Sequence, residues 1–146
     1  MDTTLRDALL RTPTRGKVVT DLDQAVAAQV KATSGLSGAA ARTGYQVAQK
    51  VRPGFIASAL DGLLPEFAAA LQPWWEEYPG HGGFGRHLAQ DGPAAADALL
   101  AITDGRAAST ERTALRKAYR SLRPKAAVLV EDALPRVGDV IERHAS

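Results

Sequence analysis

The sequence predicts an all-α fold, a single-domain bundle of about six to eight helices over residues 1–146 with no disulfides. Three observations predict it. Counted along the chain, 28 Ala and 16 Leu stand against 3 Ile and 10 Val, and the first pair favours helix where the second favours strand. Apolar residues recur at steps of three and four, the period of one helix face. The composition, 45% hydrophobic and 23% charged over 146 residues, is that of a globular chain long enough for one core. Alanine fills little space, so an Ala-rich core implies close helix contacts and few large cavities. The absence of Cys excludes disulfides, thiolate chemistry and cysteine-based zinc modules.

Thr4 is placed to cap a short first helix carrying Leu5, Ala8 and Leu9, which Thr12-Pro13 ends because the residue before proline avoids the helical region. From about Lys17 to Lys31, Val18, Leu22, Val26 and Val30 lie on one face of a second helix. Ser34-Gly35 interrupts the pattern. Leu36, Ala40, Tyr45, Val47 and Val51 then predict a third helix ending at Arg52-Pro53-Gly54, weakened internally by Gly38 and Gly44. Phe55, Ile56, Ala59, Leu60, Leu63 and Leu64 form the strongest apolar face and the expected centre of the core, with Pro65 opening a renewed helix through Phe67 and Leu71.

Pro79-Gly80-His81-Gly82-Gly83-Phe84-Gly85 is read as a loop, followed by a short turn around Arg86 to Gln90. Pro93 starts a helix through Leu99 and Ile102 that is expected to stop near Asp104-Gly105. Thr110 is expected to cap a helix to about Leu122, and Pro124 to open a last one that Pro135 kinks or splits. The longest stretch without Asp, Glu, Lys or Arg is Ala32 to Ala41, about half of the ~20 apolar residues a spanning helix needs. The start, Met1-Asp2-Thr3-Thr4, has no secretory h-region, so a cytoplasmic protein is expected.

Gly80, Gly82 and Gly85 spell G-x-G-x-x-G, but a dinucleotide fingerprint needs a preceding strand to deliver the pyrophosphate to a helix N-terminus, and an aromatic helical segment precedes it here. Arg11 and Val18 occupy positions that a phosphate-binding loop ending at Gly16-Lys17 would require to be Gly and Ser or Thr. Gly35-Leu36-Ser37-Gly38-Ala39 misses the nucleophile elbow by its last residue; Ser37 reads better as a helix cap. Glu76, Glu77, His81 and His87 could bind a metal or move protons, although a six-residue gap between the histidines presets no geometry. No cofactor or metal is assigned.

Trp74, Trp75, Tyr78 and Phe84 are four of the eight aromatics. With His81 they make a candidate partner or ligand surface, the alternative being that one Trp fills the core while the other covers its edge. Charge is also uneven. Between Asp61 and Asp104 there are seven acids and one base; between Arg106 and Lys125, seven bases and one acid. Arg112, Arg116, Arg120 and Arg123 form a stripe beside the apolar Leu115, Ala118, Tyr119 and Leu122. That stripe is a candidate anion surface for nucleic acid or anionic lipid, or else a solvated face answering the acidic segment within the molecule or across a dimer. Little Asn, Gln or Ser accompanies the arginines, against sequence-specific DNA reading.

Ser34-Gly35-Leu36-Ser37-Gly38, Lys50-Val51-Arg52-Pro53-Gly54-Phe55, Leu63-Leu64-Pro65-Glu66-Phe67 and Ala96-Asp97-Ala98-Leu99-Leu100 are together similar to a family of small actinobacterial proteins of uncharacterised function. The resemblance spans most of the chain. It implies a cytoplasmic bacterial protein and carries over no activity and no catalytic residues. The expectation is a non-enzymatic helical interaction module, possible as a homodimer, with polyanion binding and a small-ligand or metal-dependent enzyme as the alternatives.

Overall fold

The computed structural model describes residues 4–146, and the described residues form helices α1 (Leu5–Leu10), α2 (Thr14–Ala32), α3 (Gly35–Val51), α4 (Phe55–Glu77), α5 (Phe84–Gln90), α6 (Gly92–Ser109) and α7 (Thr113–Ala145). The all-α bundle is as expected. The two longest helices, α4 and α7, do not bring their backbones together; α1, α2, α3, α5 and α6 each pack against both. The Thr4 hydroxyl accepts the Asp7 amide at 3.1 Å, as the capping pattern predicts, and the Gln72 side chain of α4 accepts the Leu5 amide at 2.6 Å. These two bonds satisfy orphan amides of a six-residue helix that could not persist on its own.

Several boundaries differ from expectation, two of them at prolines. Pro65 does not restart a helix and Pro124 does not open one: α4 runs through Pro65 and Pro73, and α7 runs for 33 residues through Pro124 and Pro135. Each interior proline removes one ladder bond and costs roughly 3 kcal/mol in an isolated helix. Packing along α4 and α7 outweighs that cost, because tertiary burial rather than propensity supplies most helix stability in proteins. Helix α6 passes Asp104-Gly105 and ends at Ser109. Arg112, not Thr110, holds the N-cap position of α7, while the Thr110 hydroxyl accepts the Arg112 amide at 3.3 Å. Ser34 occupies the α3 N-cap, so Ser37 lies inside the helix rather than capping it.

The core is displaced from its expected centre. Leu64, Ala68 and Leu71 of α4 are buried with Leu5, Leu9, Val18, Leu22, Phe84, Leu88, Leu99, Leu134 and Ile141, whereas Phe55, Ile56 and Leu63 are only half-buried. No α3 residue belongs to this cluster, and α3 buries only Gly38 and Ala41. Large side chains therefore gather at one end of the bundle, around α1, α5 and the C-terminal half of α7. Small ones face each other at the other end, around α3 and the N-terminal half of α7.

Candidate functional site

At the large-residue end, the aromatic-glycine segment is folded onto α7. Gly80, Gly82 and Gly83 have φ of 89°, 91° and 97°, a left-handed backbone that other residues seldom adopt. The turn they make brings Phe84, fully buried, against Trp75 at 5.0 Å edge-on and Tyr78 at 5.5 Å, separations typical of stabilising aromatic pairs. Glu142 of α7 holds the turn from below. Its carboxylate accepts the Tyr78 hydroxyl and, at 3.1 Å, the Phe84 amide, while the Gly83 amide donates to the Tyr78 oxygen at 3.0 Å. The bond to Glu142 raises the Tyr78 pKa above its ordinary value, since the neutral hydroxyl is the form that donates.

Gly85 has a structural use that its place in the G-x-G-x-x-G string does not suggest. A β-carbon there would lie 2.3 Å from the Pro135 carbonyl oxygen, and one on Gly138 would lie 2.3 Å from the Gly85 α-carbon. α5 and α7 thus cross glycine to glycine. Trp74 donates its indole N–H to Asp91 at 2.9 Å, and Trp74 and Trp75 both pack partly buried against the core. Of the proposed partner surface, His81 stands exposed in the turn, whereas Phe84 is wholly interior and Trp74, Trp75 and Tyr78 are half-buried.

Glu76 and Glu77 are exposed, and His87 stacks on Phe84 at 6.2 Å with a buried Nε2 that has no hydrogen-bond partner among the described residues. Among those residues no three His, Asp or Glu side chains form a group able to hold a metal ion.

The arginine stripe divides. Arg123 grips Asp104 of α6 through Nε at 2.9 Å and Nη2 at 3.2 Å, and Tyr119 donates its hydroxyl to the same carboxylate. This guanidinium fork, then the Tyr119 hydroxyl, holds the Asp104 carboxyl below its ordinary range. Arg106 pairs with Glu66, a second bond between the basic and acidic segments. Arg112, Arg116 and Arg120 make no ion pair with any described residue.

The small-residue end carries two open clefts, against the expectation that an Ala-rich chain leaves little space. They lie on either side of the seam where α3 meets α7, at which a β-carbon on Gly44 would stand 3.4 Å from Leu122. One, of about 450 Å³, is lined by Ala39, Ala40, Thr43, Ala114, Lys117 and Ser121 among others. The other, of about 310 Å³, is more apolar: Phe55, Leu63, Leu115 and Leu122 form its body, with Thr103, Arg106 and Tyr119 at its polar edge. Small side chains let α3 lie directly along α7, and the clefts open beside that seam because the same Gly and Ala side chains are too short to fill the space. The only hint in the sequence was the abundance of Ala and Gly on α3 and early α7; which of these faced each other was not readable.

The profile of a family of unknown function (DUF6918) matches residues 5–145. No curated protein and no solved structure matches the chain.

Proposed function

Since the chain belongs to the family of unknown function DUF6918, which brings no activity with it, we propose from the geometry that it is a non-enzymatic helical interaction module binding an acidic protein partner through the first half of α7. One observation carries the reading. Arg112, Arg116 and Arg120 have no ion-pair partner among the described residues, although Arg106 and Arg123 on either side are answered by Glu66 and Asp104. Unanswered like charges on one face repel each other, a cost that an acidic partner relieves while gaining orientation and a faster encounter. The inward packing of the aromatic segment also supports placing the contact here rather than at Trp74, Trp75 and Tyr78.

The test is native mass spectrometry of the protein isolated from its own host at modest salt, beside a variant carrying Arg112→Glu, Arg116→Glu and Arg120→Glu. A protein adduct or dimer on the wild type that the variant loses is the expected result; an adduct equally abundant on both rejects the surface. The same three arginines favour polyanion binding as a second reading. A labelled DNA duplex that binds at low salt and is released steeply as salt rises would move the assignment there, and a duplex that fails to bind at low salt would remove it.

A further inference from the structure

We infer that the cleft bounded by α3, α4, α6 and α7 is a binding site for a medium-chain carboxylate, its apolar chain lying against Phe55, Leu63, Leu115 and Leu122 and its carboxylate meeting Arg106. The inference goes beyond the interaction surface proposed above and does not rest on it. The cleft's volume of about 310 Å³ falls at the lower end of the ~300–1,000 Å³ of small-molecule sites, which are likewise mostly apolar with a few placed polar groups. Its walls stay apart because Gly44, Ala48, Ala107 and Ala118 reach too little distance to fill it. A chain of CH₂ groups laid there supplies the dispersion contacts those residues cannot.

The polar edge keeps one guanidinium with donors to spare. Asp104, the acid nearest Tyr119, is neutralised by the two-point grip of Arg123, and the Tyr119 hydroxyl is committed to Asp104 with Thr103 2.8 Å away. Arg106 is different. It gives Nη2 to Glu66, while its Nε and Nη1 donate to no described residue, so part of a fork suited to a carboxylate stays open. The closed seam at Gly44 and Leu122 bounds the far side, which favours a medium over a long chain.

The cleft is open to solvent beside α3, which adds no side chain to the main core. Calorimetric titration of the full chain with decanoate, and separately with decanol, tests the site. One decanoate per chain is expected to bind, decanol several-fold more weakly, and α3 amides to gain protection from hydrogen exchange. Ala118→Trp, and separately Ala107→Trp, are expected to lower decanoate affinity by at least about tenfold, equivalent to ~1.4 kcal/mol, with circular dichroism showing both variants folded. Arg106→Gln should abolish the preference for decanoate over decanol. Equal affinity for the two compounds in the wild type, undiminished binding in both tryptophan variants, or no binding of decanoate would each overturn the assignment.

Discussion

Glu142 and Gly138 show how single residues on α7 shape the aromatic segment. Gly138 admits the Gly85 backbone at a distance no side chain allows. Gly138→Ala therefore forces α5 off α7 and is expected to cost about 3 kcal/mol, the upper end of overpacking penalties, measurable by urea unfolding. At the same end Asp21 of α2 accepts from His144 at 2.7 Å and Arg143 at 3.1 Å. The His144 bond above all lowers the Asp21 pKa below its ordinary value. A depressed carboxylate stabilises the fold fully above the unfolded-state value of about 3.9 and loses that contribution as pH falls through the lower folded value. Asp21→Asn should thus melt below the wild type at pH 7 and together with it near pH 2; a melting difference independent of pH would show that the ion pair is not its source.

Among the elements, α7 departs furthest from its sequence reading. Pro124, which the sequence places at the start of a helix, stands exposed in the middle of one. Its ring removes the bond to the Arg120 carbonyl, so Pro124→Ala is expected to stabilise the protein by about 1–3 kcal/mol, read as a raised Tm. An unchanged or lower Tm would mean that α7 depends on the local geometry proline imposes. The short helices α1 and α5 present the opposite case. Leu5 and Leu9, and Phe84 and Leu88, are fully buried, and these anchors let helices of six and seven residues persist where propensity alone would not. The existence of α1 is legible from Leu5 and Leu9, whereas the sequence reads Pro79 to Gly85 as a loop and Arg86 to Gln90 as a short turn where α5 forms from Phe84, because the glycine contact that seats α5 lies on the distant α7.

Across the whole molecule, stability and openness are divided between the two ends. Leu134 is fully buried at the α5 end, while Leu122 is half-buried beside the clefts. Leu134→Ala is expected to cost about 3–5 kcal/mol and Leu122→Ala less than about 2, because the cost grows with the cavity left behind and an open cleft leaves no new enclosed one. Equal losses in denaturant unfolding would contradict a loosely packed α3 end. Among the described residues no single helix is long and apolar enough to cross a membrane.

Composition and periodicity by themselves determined the helical class, most helix starts and the apolar faces of α1 and α2, because these depend on residues three and four apart. They also located the aromatic cluster and the charge reversal between Asp61 and Lys125. Only the tertiary structure decided that helices continue through Pro65 and Pro124, that Gly85 meets Gly138, that Glu142 draws Tyr78 and Phe84 inward, and that Arg106 and Arg123 are neutralised while Arg112, Arg116 and Arg120 are not. Each of these depends on residues distant in the chain, up to 64 positions apart for Tyr78 and Glu142. A local pattern carries no term for them: the free energy of a crossing, a buried bond or an unfilled cleft belongs to the pair of helices that meet.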